Sequence, residues 1–208
     1  MSGQNSMAWR VERLTEKRLT WLIDQASESV CKATLAELRR GVGREPGEIP
    51  ALWGMLLEDM PEDMQGRGTR ASRQEMAIYI ALTLFAVHQQ GWEPRKNAMY
   101  QPEIPLGKAV ARLVVPGDED SRERVERRFT RAATAADMAE LAHHMRGLVQ
   151  LFRAEGIPLD WARLAGQLYD YQDVNRVANI RLRWGEEFYA ALNCGQSDNK
   201  QEEDKNEG

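Results

Sequence analysis

Apolar residues recur at three- and four-residue intervals along almost the whole chain, and almost nowhere do they alternate over the length of a strand. That period places them on one stripe of an α-helix. A chain so patterned must bury helix against helix. The strongest instance is Met76 to Val87 (MAIYIALTLFAV), twelve residues without a charge and apolar but for Thr83. A membrane span needs about twenty such residues, so this run is expected to be a core helix with neighbours on every side.

Glycine and proline divide the rest. A first amphipathic segment runs over about 7–25, with Trp9, Leu14, Trp21 and Leu22 setting its apolar side. A second covers 29–40, with Leu35 and Leu38 inward and Gly41 as its stop. Three glycines and two prolines make 41–50 a loop. A short helix over 51–60 ends at Pro61, and the apolar helix fills 71–90 before Gly91 and Pro94. Two prolines make 97–105 a connector. Beyond it lie 106–115, cut by Pro116-Gly117, then a charged helix over 121–133 with Ser121 as N-cap. A long helix follows over 134–155, begun by Thr134-x-x-Asp137 and broken at Gly156-Ile157-Pro158. Asp160 is placed to cap a helix to Tyr171, and a last one takes 174–192. The expectation is an all-α protein of eight or nine helices, either one compact body or two small bundles joined near residue 100. The bundles would be 1–96 and 106–192, on either side of the connector 97–105. The remainder, 193–208, lacks apolar content and is expected to be a disordered acidic tail.

Charge enters through its distribution. The 208 residues carry 28 Lys+Arg against 32 Asp+Glu, a net −4, which lacks the basic excess usual in nucleic-acid binders. Only six of those cations are lysines, leaving 22 arginines, and the sixteen tail residues account for −3 of the total. The body is therefore nearly neutral, and its positive charge is mostly guanidinium. Cys31 and Cys194 cannot build a four-ligand metal site or a disulfide framework, and Met1 to Ser6 has no apolar run behind it. A soluble cytoplasmic protein is expected.

Signs of catalytic chemistry are sparse. Gly41-x-Gly43 with Gly47 follows a helix and is not a dinucleotide fingerprint; Gly107-Lys108 lacks the rest of a phosphate loop. No serine sits in G-x-S-x-G, and neither cysteine has a histidine nearby in sequence. Asp137, Glu140, His143 and His144 share a helical spacing that suits metal ligands, but an ordinary polar face has the same spacing. His88 is expected at a helix end, satisfying carbonyls, and the six tryptophans at core positions. The acids Glu58, Asp59, Glu62 and Asp63, and those from Asp118 to Asp120, read as surface charge. No enzyme activity and no cofactor are expected.

One constellation stands out. In the helix from Ser121, Val125, Phe129, Ala132, Ala133 and Ala136 form an apolar stripe, and Arg124, Arg127, Arg128 and Arg131 form an adjoining one. Four guanidinium groups along ~10 Å of helix repel one another unless anions are close. They are either a solvated face tied to acids elsewhere or a ridge that grips phosphates, a task for which the planar fork of arginine is suited. Other basic residues that would widen such a ridge are Arg39, Arg40 and Arg44 by the glycine loop, Lys108 and Arg112, Arg146, and Arg176, Arg181 and Arg183. Without an aromatic platform or a helix-turn-helix, backbone binding rather than base reading is expected.

The order of motifs resembles the CasB family, the small subunit of the type I-E CRISPR surveillance complex Cascade. The segments that carry the resemblance are LRRGVGREPGEIPALW (38–53), LTLFAVHQQG (82–91), IPLGKAVARL (104–113), the long stretch from Arg124 to Tyr171, and RWGEEFY (183–189). The resemblance implies an all-helical, non-enzymatic subunit present as two copies packed head to tail. Its partners would be the backbone and large subunits of the complex, the target DNA and its displaced strand, and indirectly the guide RNA. It also implies a basic surface matched here by Arg127 and Arg128, by Lys108 and by Arg146; Arg124 and Arg131 join them on the helical-face argument alone. The tail after Asn193 has no counterpart in the family pattern. Two rival readings are a helical scaffold whose arginines pair with neighbouring subunits, and an enzyme using the Asp137/Glu140/His143 face.

Overall fold

The computed structural model describes residues 6–68 and 70–206, with side chains described for 6–68 and 70–194. Its organising element is the apolar helix, α4 (Arg73–His88), which is buried almost all round from Ala77 to His88. A capping box starts it: the Ser72 hydroxyl accepts from the Glu75 backbone N–H, while the Glu75 carboxylate accepts from the Ser72 N–H at 2.6 Å. Around it lie α1 (Met7–Thr20), α2 (Glu28–Arg40), α3 (Trp53–Leu57), α7 (Met138–Glu155) and α8 (Trp161–Tyr171). α5 (Leu106–Ala111) packs along α9 (Val177–Asn206), and α6 (Glu119–Ala133) packs on α7. Nine α-helices and no strand are present among the described residues; a single bridge joins Tyr100 to Leu159.

Of the two arrangements open to the sequence, the structure has the single body. One hydrophobic core runs from Val11 to Phe188, and α1 and α4 pack directly on α8. The acidic segment expected to be disordered from residue 193 lies, beyond Cys194, outside the residues whose side chains are described.

Several local expectations need correction. α1 stops at Thr20 and passes into a π-helical turn, Trp21–Gln25. Its inner row is Val11, Thr15, Arg18, Leu19 and Leu22, so Trp9 and Trp21 are 37% and 39% exposed. Trp53 is half exposed as well, whereas Trp161 and Trp184 are wholly buried. The apolar pattern of α1 misleads because a threonine and an arginine occupy the inner face, each with its polar atoms satisfied. Thr15 donates to the Val11 carbonyl at 2.8 Å. The Arg18 guanidinium donates to the carbonyls of Met55, Leu56 and Glu58 at the end of α3, and to Leu14. Burial lowers its pKa to about 10, so it stays charged at neutral pH. Arg18→Met should cost about 2 kcal/mol in urea unfolding, because buried carbonyls lose their donor.

The caps of α6 and α7 also differ. Asp118 caps α6 by accepting from the Ser121 N–H, and Ser121 itself is buried, with its hydroxyl accepting from the Val115 N–H. α7 begins only at Met138, capped by Asp137 in place of Thr134. Ala136 is therefore outside both helices and exposed.

His88 is at the end of α4, as expected, but it is not an exposed cap. It is buried against Phe152 and Trp161, and its Nδ1 accepts the Trp161 indole N–H at 3.2 Å. Burial lowers its pKa to about 4. The unfolded chain therefore binds a proton that the native fold refuses between about pH 6.5 and 4, and stability falls as pH drops through that window. A depression of that size corresponds to about 3 kcal/mol. Urea midpoints should fall from pH 7 to about pH 4.5, and less steeply for His88→Gln, which keeps an acceptor but cannot titrate.

Candidate nucleic-acid interface

The inner row of α6 is Ser121, Val125, Phe129 and Ala132, seated on α7 and, through Phe129 and Phe188 (ring centroids 5.6 Å apart), on α9. This row turns Arg124, Arg127, Arg128 and Arg131 outward, and all four are exposed. Glu119 and Asp120 in the first turn and Arg131 in the last suit the helix dipole. Arg124 lies 3.7 Å from Asp118. Arg127, Arg128 and Arg131 have no ion-pair partner among the described residues. Glu126, which interleaves with them, is taken by Arg122 at 2.9 Å. Three uncompensated guanidinium groups thus occupy little more than one turn, and their mutual repulsion disfavours the row until an anion arrives.

α5 sets a second group beside the first. It meets α9 so closely that a Cβ on Gly107 would lie 2.3 Å from the Trp184 carbonyl oxygen and 2.6 Å from the Phe188 nitrogen. The contact leaves Lys108 and Arg112 on the rim of a groove of about 1000 Å³, together with Arg122 and the acids Asp118 and Glu119. Asp118 also pairs with Arg124, so the groove ends where the arginine row begins. Arg146 is exposed on α7, the helix under α6, without an ion-pair partner among the described residues.

The remaining basic residues stand elsewhere. Arg39 is half-buried against the Ala86 carbonyl and lines a separate groove with Trp92 and Arg95. Arg40 pairs with Glu37 at 2.9 Å and Arg44 with Glu48 at 3.9 Å. Arg176 is held by Asp170 at 2.7 Å and by Asp173. Arg181 packs over the Tyr171 ring. Arg183 lines a crevice between α1, α8 and α9. Arg122 is not among the residues singled out from sequence; in the structure it pairs with Glu126 at 2.9 Å and lies 4.0 Å from Glu119. Arg163 is not among them either, and no periodic signal marks it out. Among the described residues, no three His, Cys, Asp or Glu side chains are grouped as a metal would require; His144 lies 3.5 Å from Glu140 and packs edge-on against the His143 ring. No helix is long and apolar enough to cross a membrane among the described residues.

The family model for CRISPR-associated protein Cse2 matches residues 34–189. Among solved structures, CasB from Thermobifida fusca is 32% identical, with a TM-score of 0.66 over 87% of this chain and 96% of that one. A Cse2-family protein from Thermus thermophilus is 23% identical, with a TM-score of 0.62 over 85% and 98%. A chain of a CRISPR RNA-guided surveillance complex has the same fold at 19% identity, with a TM-score of 0.67 over 93% and 99%. No curated protein sequence matches the chain. The helical fold, the family match across most of the chain and the relative from Thermobifida fusca agree: the protein belongs to the CRISPR-associated Cse2 family.

Proposed function

We propose that the protein is a non-catalytic subunit of a cytoplasmic CRISPR RNA-guided DNA surveillance complex, where its α6 arginines hold nucleic-acid backbone without reading sequence. The observation that carries this reading is the row Arg127, Arg128 and Arg131, exposed and without an ion-pair partner among the described residues. Lys108 and Arg112, on the groove that ends at Asp118 beside Arg124, and the exposed Arg146 of α7 are proposed as further contacts. Exchange of a DNA duplex for a guide–target heteroduplex is nearly balanced in energy, so a few contacts to the opened strands are enough to favour the R-loop. Within the complex the protein would meet backbone and large subunits and a second, head-to-tail copy of itself, with the guide RNA reached only through them.

The test is a salt titration. Binding to duplex DNA should weaken linearly in log–log form, and Arg128→Ala should flatten the slope by about 0.9 on every sequence alike. Arg124→Ala should flatten it less, since Asp118 already competes for that guanidinium. Absence of any salt-dependent binding would count against the reading. A scaffold reading has support of its own: Arg40 and Arg176 are engaged by carboxylates within this chain, so arginines in this protein do serve as struts.

A further inference from the structure

A groove of about 500 Å³ lies between α2, the π-helical turn and the segment that follows α4. Both walls are held in place. On α2, Cys31, Leu35 and Arg39 are four apart and share one row, so two apolar side chains lead to a guanidinium. On the other side, Gly91 (φ 90°) turns the chain after α4 and sets Trp92 against the groove. The Trp92 indole N–H donates to the Arg153 carbonyl at 3.2 Å. Gln89 holds the turn by donating to the carbonyls of Trp92 and Asn97 while accepting from the Met99 N–H. The wall is therefore formed before anything docks.

The charges around this groove do not cancel. Glu28 is bonded to Lys32 at 2.5 Å and Glu93 to Lys96 at 2.8 Å, which occupies both carboxylates of the lining. Arg39 and Arg95 have no ion-pair partner among the described residues. Each gives one guanidinium nitrogen to a backbone carbonyl, of Ala86 and of Ala26, and keeps its other N–H groups. The floor is apolar: Ile23, Ala26, Cys31 and Leu35 each show only an edge, beside the half-buried Trp92. Nucleobases bind by stacking on aromatic faces, whereas this floor is mainly aliphatic and its tryptophan presents the benzo ring to Gly156. An aliphatic side chain suits such a floor, and carboxylates suit the planar fork of arginine. We propose that the groove docks a short segment of a partner protein in which an aliphatic residue is flanked by acidic ones, the carboxylates resting on Arg39 and Arg95. The proposal rests on the assembly reading above for the existence of a protein neighbour, and it involves no residue of α6.

The test uses the isolated protein and a capped tripeptide of glutamate, leucine and glutamate, at constant ionic strength. The Trp92 indole resonance in a ¹H–¹⁵N spectrum, assigned by its absence from Trp92→Phe, should move saturably. Arg39→Gln/Arg95→Gln keeps amide donors for the two carbonyls and should weaken the response by roughly tenfold per arginine, the effect of one charge-assisted contact each. A tripeptide with lysines for the glutamates should leave the wild-type resonance unmoved. The Arg124/Arg127/Arg128/Arg131→Ala variant should respond to the acidic peptide like wild type. In the reconstituted complex the Arg39→Gln/Arg95→Gln subunit should co-purify in reduced amount. Wild-type protein that fails to enter the complex would overturn the assembly reading and this proposal with it; wild type and variant entering equally would overturn this proposal alone. So would an unmoved resonance or an equal response to the lysine peptide. A dinucleotide that moves the resonance more strongly than the acidic peptide would give the groove to nucleic acid and overturn it as well.

Discussion

Replacing Arg124, Arg127, Arg128 and Arg131 together by alanine will leave the fold intact and remove most of the protein's grip on DNA. All four side chains point away from the buried row of α6, and alanine is the best helix former, so α6 should gain a little stability as its internal repulsion is relieved. Each phosphate contact contributes about 0.9 to the salt slope on duplex DNA. The three unpaired arginines should therefore flatten it by about 2.7, and Arg124 by a smaller amount. The loss should be nearly the same on unrelated sequences, since guanidinium groups that grip phosphates do not read base edges. Binding isotherms at four or five salt concentrations, with circular dichroism to confirm the helix content, measure both halves of the expectation.

Gly107→Val should be as damaging to the fold as the arginine variant is to binding. Most glycines in a helix merely lower its stability, but Gly107 is where α5 touches the backbone of α9. A Cβ there would overlap the Trp184 carbonyl and the Phe188 nitrogen, and neither can rotate away as a side-chain tip would. α5 would have to lift from α9, exposing Leu106, Ala109 and Val110, and the Glu187 carboxylate would lose the Gly107 N–H that it accepts. The cost should be about 3 kcal/mol, the upper part of the range for overpacking. Thermal unfolding and urea titration would show it. Gly185→Ala, on α9 with open space around its Cβ, serves as the control and should change stability little.

What the sequence reveals and what it hides divide along physical lines. α4 is legible because its apolar residues fill every side and its start carries Ser72 and Glu75 three apart. The arginine row is legible because helical geometry alone decides which residues share a face. The inner face of α1 is not legible, since Thr15 and Arg18 are buried by hydrogen bonds that Val11 and α3 provide, and α3 is distant along the chain. The same reason hides the role of His88, which depends on Trp161. It also hides the burial of Gln167, whose partner is a tryptophan on another helix. Which arginines are neutralised is half legible: Glu37 beside Arg40 is a local pair, while the partner of Arg176 at Asp170 belongs to the previous helix.

The central claim is that the α6 arginines hold nucleic acid and do not serve as struts to neighbouring protein. Its most direct test is to reconstitute the surveillance complex with the Arg124/Arg127/Arg128/Arg131→Ala subunit and measure two quantities in one preparation: how much subunit co-purifies, and how tightly the complex binds target DNA. The account predicts normal incorporation with weakened, less salt-dependent DNA binding. Loss of the subunit from the complex, or normal incorporation with DNA binding equal to wild type, would contradict it.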